Sequence, residues 1–169
     1  MSRLTLIGYD TVSGQWKLYQ QNDTITFLNT IESAECAMLG NATATLIATV
    51  SVPIKIAGIT TAGMLNNFTH SNNRLTYTGT DSIDVQVLFG ASFVAASNST
   101  KVWRFSIAKN GVVLTGSYRK ISSTTNNLLI NATCMDIVNM ATNDYLECWV
   151  QNDTDATDLT VDTLTFIIY

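Results

Sequence analysis

"LTFIIY" (Leu164–Tyr169) closes the sequence, and its reading decides the fold. Leu164, Phe166 and Ile168 alternate with Ile167 and Tyr169 in the period-2 pattern of a β-strand. A strand in a two-sheet sandwich carries one apolar face and one wet face. Here neither set is polar. The strand is therefore expected to be buried twice, once in its own core and once against another subunit.

Working back, "DYLECWVQN" (Asp144–Asn152) reads as the preceding strand, and Trp103–Ala108 as one before it. Asn110-Gly111, between Lys109 and the returning Val112–Thr115, is the strongest hairpin signal in the chain. Both residues tolerate the positive φ of a type I′ turn. "NRLTYTGTDSIDVQVLFGASF" (Asn73–Phe93) holds two strands broken at Gly79-Thr80-Asp81, with Ile83, Val85 and Val87 opposed to Asp84 and Gln86. "ATATLIATVSVPIKIAG" (Ala42–Gly58) is rich in β-branched residues, with Pro53 marking an edge, a bend or a strand start. "TTAGMLNNFTHSNN" (Thr60–Asn73) reads as loop. Strands spaced by polar turns predict an all-β antiparallel sandwich or barrel over residues 45–169.

Residues 1–44 differ. "LTLIGYD" (Leu4–Asp10), "GQWKLYQ" (Gly14–Gln20) and "DTITFLN" (Asp23–Asn29) are short strand-like pieces. The first two predict a hairpin in which Leu6 and Tyr9 face Trp16 and Leu18. It has too little apolar surface to stand alone. Leu4, Leu6, Tyr9, Trp16 and Leu18 are thus candidate anchoring residues, to be covered by a partner or by the sandwich's own edge. "IESAECAML" (Ile31–Leu39) fits a helix of barely two turns or a strand.

Charged residues make up only 13% of the 169, against a typical fraction of about 25%, and apolar residues 46%. So little charge suits a protein packed in an assembly. The net charge is −4 and the nine Lys and Arg form no stripe, which argues against nucleic acid. No apolar run approaches the roughly 20 residues of a membrane span. Nor does an apolar signal segment precede Asp10, which predicts cytoplasmic synthesis without export.

Catalytic and cofactor chemistry finds no motif. His70 is the single histidine and sits in an Asn-rich stretch. No phosphate loop, dinucleotide fingerprint or nucleophile elbow occurs. Asp153, Asp155, Asp158 and Asp162 loosely resemble an oxygen-ligand loop for calcium, but lack the glycine and closing glutamate of an EF-hand, so a solvated loop is favoured. Cys36, Cys134 and Cys148 make no disulfide framework. A hairpin at Ala141-Thr142 would set Cys134 opposite Cys148, as buried thiols or as a cross-strand disulfide.

Three pieces taken in order, "FSIAKNG" (Phe105–Gly111), "NDYLECWVQN" (Asn143–Asn152) and "DTLTFIIY" (Asp162–Tyr169), resemble the jelly-roll trimers of the tumour-necrosis-factor and complement-globular-head superfamily. Asn143 stands where that family usually has Gly. "VPIKIAGITTAG" and "NNRLTYTGTDSIDVQV" are similar to a version of the domain found in tailed-phage virion proteins. The resemblance implies an antiparallel jelly roll after a short N-terminal β segment, a homotrimer, a virion location and no enzymatic activity. The expected trimer contacts are Tyr145, Leu164, Phe166, Ile167 and Tyr169. The expected partners are further copies of the chain and the major capsid protein or another virion protein, with a host-surface glycan as a further candidate. Capsid decoration, as a cement or head-fibre protein, is favoured over a tail-fibre receptor-binding knob, because no repeat in the chain supplies a shaft.

Overall fold

Alternation is cleanest in the longest strand, Ile83–Ala95, where Val85, Val87, Phe89, Ala91, Phe93 and Ala95 are all buried. The structure, a computed structural model, describes residues 5–10, 15–20, 31–95, 99–124 and 128–169. Its strands in chain order are β1 (Thr5–Asp10), β2 (Gln15–Gln20), β3 (Ser33–Met38), β4 (Ala44–Thr45) and β5 (Ile54–Lys55). Next come β6 (Thr61–Asn66), β7 (Phe68–His70), β8 (Arg74–Tyr77), β9 (Ile83–Ala95) and β10 (Lys101–Lys109). The last are β11 (Val112–Val113), β12 (Arg119–Ser123), β13 (Ile130–Met140), β14 (Tyr145–Asn152) and β15 (Leu159–Ile168). A single 3₁₀ turn, Thr115–Ser117, is the sole helical element among the described residues.

The chain divides into two units, Met1–Ile31 and Glu32–Tyr169. In the first, β1 and β2 form an antiparallel hairpin with Tyr9 opposite Trp16, as expected. The same register pairs Leu18 with Ile7 and Leu6 with Tyr19, so Leu6 does not stand opposite Trp16 or Leu18 as expected. Leu4 and the "DTITFLN" segment lie outside the described residues.

The second unit is a jelly roll of two antiparallel sheets. One has the order β13-β9-β15-β3-β6, with β4 beside β15; the other has β11-β10-β14-β8-β7, with β12 beside β10 and β5 beside β14. From β8 onward the chain shuttles between them, so that β15 lies between β9 and β3 and β14 between β10 and β8. Phe93 stands at the centre of the interior, its ring 4.8 Å from that of Phe105 and 6.0 Å from that of Trp103. The buried Trp103 indole N–H is satisfied by Ser123 Oγ at 2.9 Å.

Several expectations change. Of the two readings open for Ile31–Leu39, the strand is the one found: Ala34, Cys36 and Met38 are buried in strict alternation, and Cys36 pairs with Phe166 in β15. A two-turn helix has few hydrogen bonds to offset its nucleation cost, whereas β15 offers a ladder to join. The sandwich therefore starts near Glu32, not at Thr45. The segment expected as loop, Thr60–Asn73, contains β6 and β7. It was hard to read because β6 is an exposed edge with no buried alternate face. Conversely, Ala42–Gly58 yields only β4 and β5 despite its β-branched residues.

The expected turn at Asn110-Gly111 is present: φ is +52° and +75°, and Lys109 pairs with Val112 across it. Asn143 also has positive φ, +70°, as its place in the tight Ala141–Asp144 turn requires. That turn carries the chain from β13 in one sheet to β14 in the other. Cys134 and Cys148 are consequently not cross-strand neighbours, and all three cysteines are free, buried thiols.

Candidate functional site

The groups with chemical potential are tied up structurally. His70 Nε2 lies 2.7 Å from Thr60 Oγ1, whose hydroxyl donates to Asn73 Oδ1 at 2.9 Å. Burial pushes the Cys36 thiol up to about 11 and the Cys134 thiol up to about 12, and holds Cys148 well above the usual range. Such thiols are inert towards electrophiles at neutral pH. In the acidic loop, Asp155 pairs with Lys101, Asp153 with Arg104 Nη2 at 2.6 Å, and Asp158 accepts the Ile47 backbone N–H at 2.7 Å. Among the described residues no group of three or more His, Cys, Asp or Glu is placed to hold a metal ion.

What remains are two sheet faces of opposite character. On the outward face of the six-stranded sheet, Met135, Leu88 and Ile167 stand in one row across β13, β9 and β15. The next row is Thr133, Gly90 and Thr165, followed by Asn131, Ser92 and Thr163. Ile137, 75% exposed, and the half-exposed Tyr169 lie in register with Gln86 beyond the first row. No strand of this sheet carries a Lys or Arg.

Gly90 needs a reason. Its φ lies outside the left-handed region, and a Cβ built on it would meet nothing within 4 Å. Glycine inside a strand costs roughly 0.5–1 kcal/mol relative to Ala. Neither backbone conformation nor packing among the described residues calls for it here. It floors an open groove walled by Ser92, Asn131, Thr133, Thr163 and Thr165. Glycine inside a strand often stands at a bulge, at a tight bend or where a ligand or another backbone comes close.

Of the expected trimer contacts, Ile167 and Tyr169 lie on this face. Leu164 and Phe166 do not: both are buried in the chain's own core, because they share the inward parity of Ile168. Tyr145 is on the other sheet altogether, its ring 3.6 Å beneath the Arg74 guanidinium. Gly90, Met135 and Ile137 were missed by sequence reasoning. The available signal was a lone glycine in a long alternating stretch and two apolar residues at the outward positions of β13.

The seven-stranded sheet gathers the cations: Lys55, Arg74, Lys101, Arg104, Lys109, Arg119 and Lys120 all stand on its strands. Two of its carboxylates are sunk beneath them. Glu147, its side chain 3% exposed, accepts from Lys55 Nζ at 2.9 Å, Arg74 Nη2 at 3.0 Å and Trp149 Nε1 at 3.1 Å. Burial alone would raise its pKa, but these donors outweigh burial and hold it below the usual range. Asp153 behaves alike: burial is overcome by Gln151, Arg104 and Lys120, and its pKa is lowered.

No family model and no curated protein sequence matches the chain. Among solved structures it is similar to the Eiger TNF of S. frugiperda, at 10% identity and a TM-score of 0.47, covering 81% of this chain and 92% of that one. It is also similar to murine APRIL, in a crystal structure at pH 5.0, at 7% identity and a TM-score of 0.49, covering 81% of this chain and 98% of that one. A second murine APRIL structure, at pH 8.5, gives 9% identity and a TM-score of 0.45 over 82% of this chain and 100% of that one. The jelly-roll assignment rests on the strand order itself.

Proposed function

We propose that the chain is a non-enzymatic structural protein of a phage virion, a homotrimer that decorates the outside of the capsid. In this reading three copies meet through the outward face of the six-stranded sheet, and the N-terminal unit contacts the shell. The observation that carries it is that face: apolar in the row Met135–Leu88–Ile167, devoid of Lys and Arg, and notched at Gly90. Such a face is costly to leave in water and lacks the long cationic side chains that would keep a neighbour away. The low charge of the whole sequence supports assembly, and the sequence resemblance supplies the virion setting.

The assembly is tested at Gly90. Gly90→Ile should leave the protomer fold at least as stable, because nothing among the described residues opposes the new side chain and a β-branched residue suits a strand. The same side chain would block the groove. Light scattering should report a trimer for the unaltered chain and a monomer for the variant. An unaltered chain that is monomeric at micromolar concentration, or a variant that stays trimeric, overturns the interface. Labelling purified particles with an antibody to the chain tests the location: signal over the shell is expected, and signal confined to the tail would reject decoration.

A further inference from the structure

We propose that the outward face of the seven-stranded sheet binds an acidic saccharide, a pyranose chain bearing carboxylate groups. The site is laid out by register. Across from Trp149 stands Lys55, across from Glu147 stands Arg74, and across from Arg104 stand Gln151 on one side and Lys120 on the other. Residues opposite one another in an antiparallel pair share a face. Trp149, Tyr145 and the Arg104–Lys120 pair therefore belong to one surface. Tyr118 joins it, with its ring 4.9 Å from the Arg104 guanidinium.

Charge on this surface is layered. The carboxylates of Glu147 and Asp153 are sunk, the second with only 12% of its side chain exposed, while Lys120 above it is 60% exposed. Each sunken carboxylate holds two cations, Lys55 with Arg74 and Arg104 with Lys120. One anion cannot neutralise two cations, so each pair presents net positive charge outward. The ion pairing also fixes the guanidinium groups in place, which lowers the ordering cost of binding an anion.

The rings select the class of anion. Trp149, Tyr145 and Tyr118 are half-buried among these cations, while Ser106 and Ala108 on the same face are small and fully covered. Tyr145 and Tyr118 back the Arg74 and Arg104 guanidinium groups, so Trp149 is the ring that suits the C–H face of a pyranose, with the sugar's carboxylate on the arginine beside it. An inorganic phosphate polymer fits less well, because it has no apolar C–H face to lay on an aromatic ring. This inference does not depend on the trimer: a monomeric chain would carry the same face.

The test uses the full chain and trigalacturonate as probe, followed by calorimetry at low ionic strength, with maltotriose and inorganic tripolyphosphate as controls. Trigalacturonate should bind, and maltotriose should not bind measurably. Lys120→Glu, at an exposed position, should weaken trigalacturonate at least about tenfold, which corresponds to about 1.4 kcal/mol. Trp149→Leu should weaken it as well, with the fold verified by melting. The variant at Lys120 keeps the test valid if the Trp149 variant does not fold. Failure to bind trigalacturonate, equal binding of tripolyphosphate, or binding untouched by Lys120→Glu would each overturn the proposal. The first would leave no saccharide site, the second would indicate a general anion patch, and the third would place the site elsewhere.

Discussion

Gln86 and Tyr169 exchange both backbone hydrogen bonds, at 2.7 and 2.9 Å, so the last residue of the sequence is zipped onto the longest strand. The register of β15 is thus set by its main chain and by the inward side chains Leu164, Phe166 and Ile168. Its outward side chains are free to serve another purpose. Ile167→Asp combined with Tyr169→Asp should leave the far-UV spectrum unchanged. In the proposed trimer each of these side chains would contribute roughly 1.5–3 kcal/mol by burial. The double variant should therefore elute and scatter as a monomer; a persistent trimer would move the interface off this face.

Gly111 tests a different link, from turn chemistry to stability. With φ at +75° it occupies a conformation that costs a β-branched residue about 1–3 kcal/mol. Among the described residues a new Cβ would meet just Tyr145 Oη at 3.6 Å, an ordinary contact, so the penalty is one of backbone conformation. Gly111→Val should lower the melting temperature by several degrees, at about 2–4 °C per kcal/mol for a domain of this size. Gly111→Asn, which tolerates positive φ, should recover most of the loss. Equal melting temperatures for both variants would show that strain is not the cause.

How much of this was legible beforehand depends on whether a side chain's environment is local. Val85 and Val87 against Asp84 and Gln86 announced β9, because one face is core and the other solvent. Asn110-Gly111 announced its turn, because φ preference belongs to the residue. β3 was ambiguous, since Ile31–Leu39 also fits a helical period and only its pairing with β15 decides the matter. The partners of the cysteines were illegible for the same reason: Ala141–Asp144 looks like a hairpin turn but crosses between sheets. The outward faces were the least legible. Gly90 looks like any strand glycine until the empty space over it is seen, and Tyr145 looked like a companion of Tyr169 until the two fell on different sheets.

Acid should destabilise the sandwich in a defined window. Burial would raise the pKa of Asp144, but Lys109, the Ala141 N–H and Asn110 bring it down to about 2; Lys101 and the Thr157 N–H do the same for Asp155. A carboxyl held lower in the folded chain than its ordinary value of 3.8 contributes stability above that value. That contribution falls away as pH drops from about 4 towards 2. Urea midpoints measured across this range should decline with acid. Asp155→Asn should flatten the decline while lowering the midpoint at neutral pH. A decline of unchanged steepness in that variant would assign the acid sensitivity to other groups.

The boundary between the two units makes the last prediction sharp to within a few residues. β3 supplies Ala34, Cys36 and Met38 to the core and pairs with β15 from Ala34 to Met38. Removing residues 1–31 takes away the hairpin and spares all of this. Removing residues 1–40 also strips β3, leaving the β15 edge unpaired and the core short of three side chains. Loss of buried side chains of this size costs about 2–5 kcal/mol where a Met is involved, and an open hydrophobic edge invites aggregation. The 32–169 chain should therefore melt cooperatively, whereas the 41–169 chain should aggregate or melt far lower. In the proposed role, the 32–169 chain should also fail to bind particles lacking the protein, because the anchoring residues Leu6, Tyr9, Trp16 and Leu18 are gone. A 32–169 chain that decorates such particles at full occupancy would show that the anchor lies within the sandwich itself.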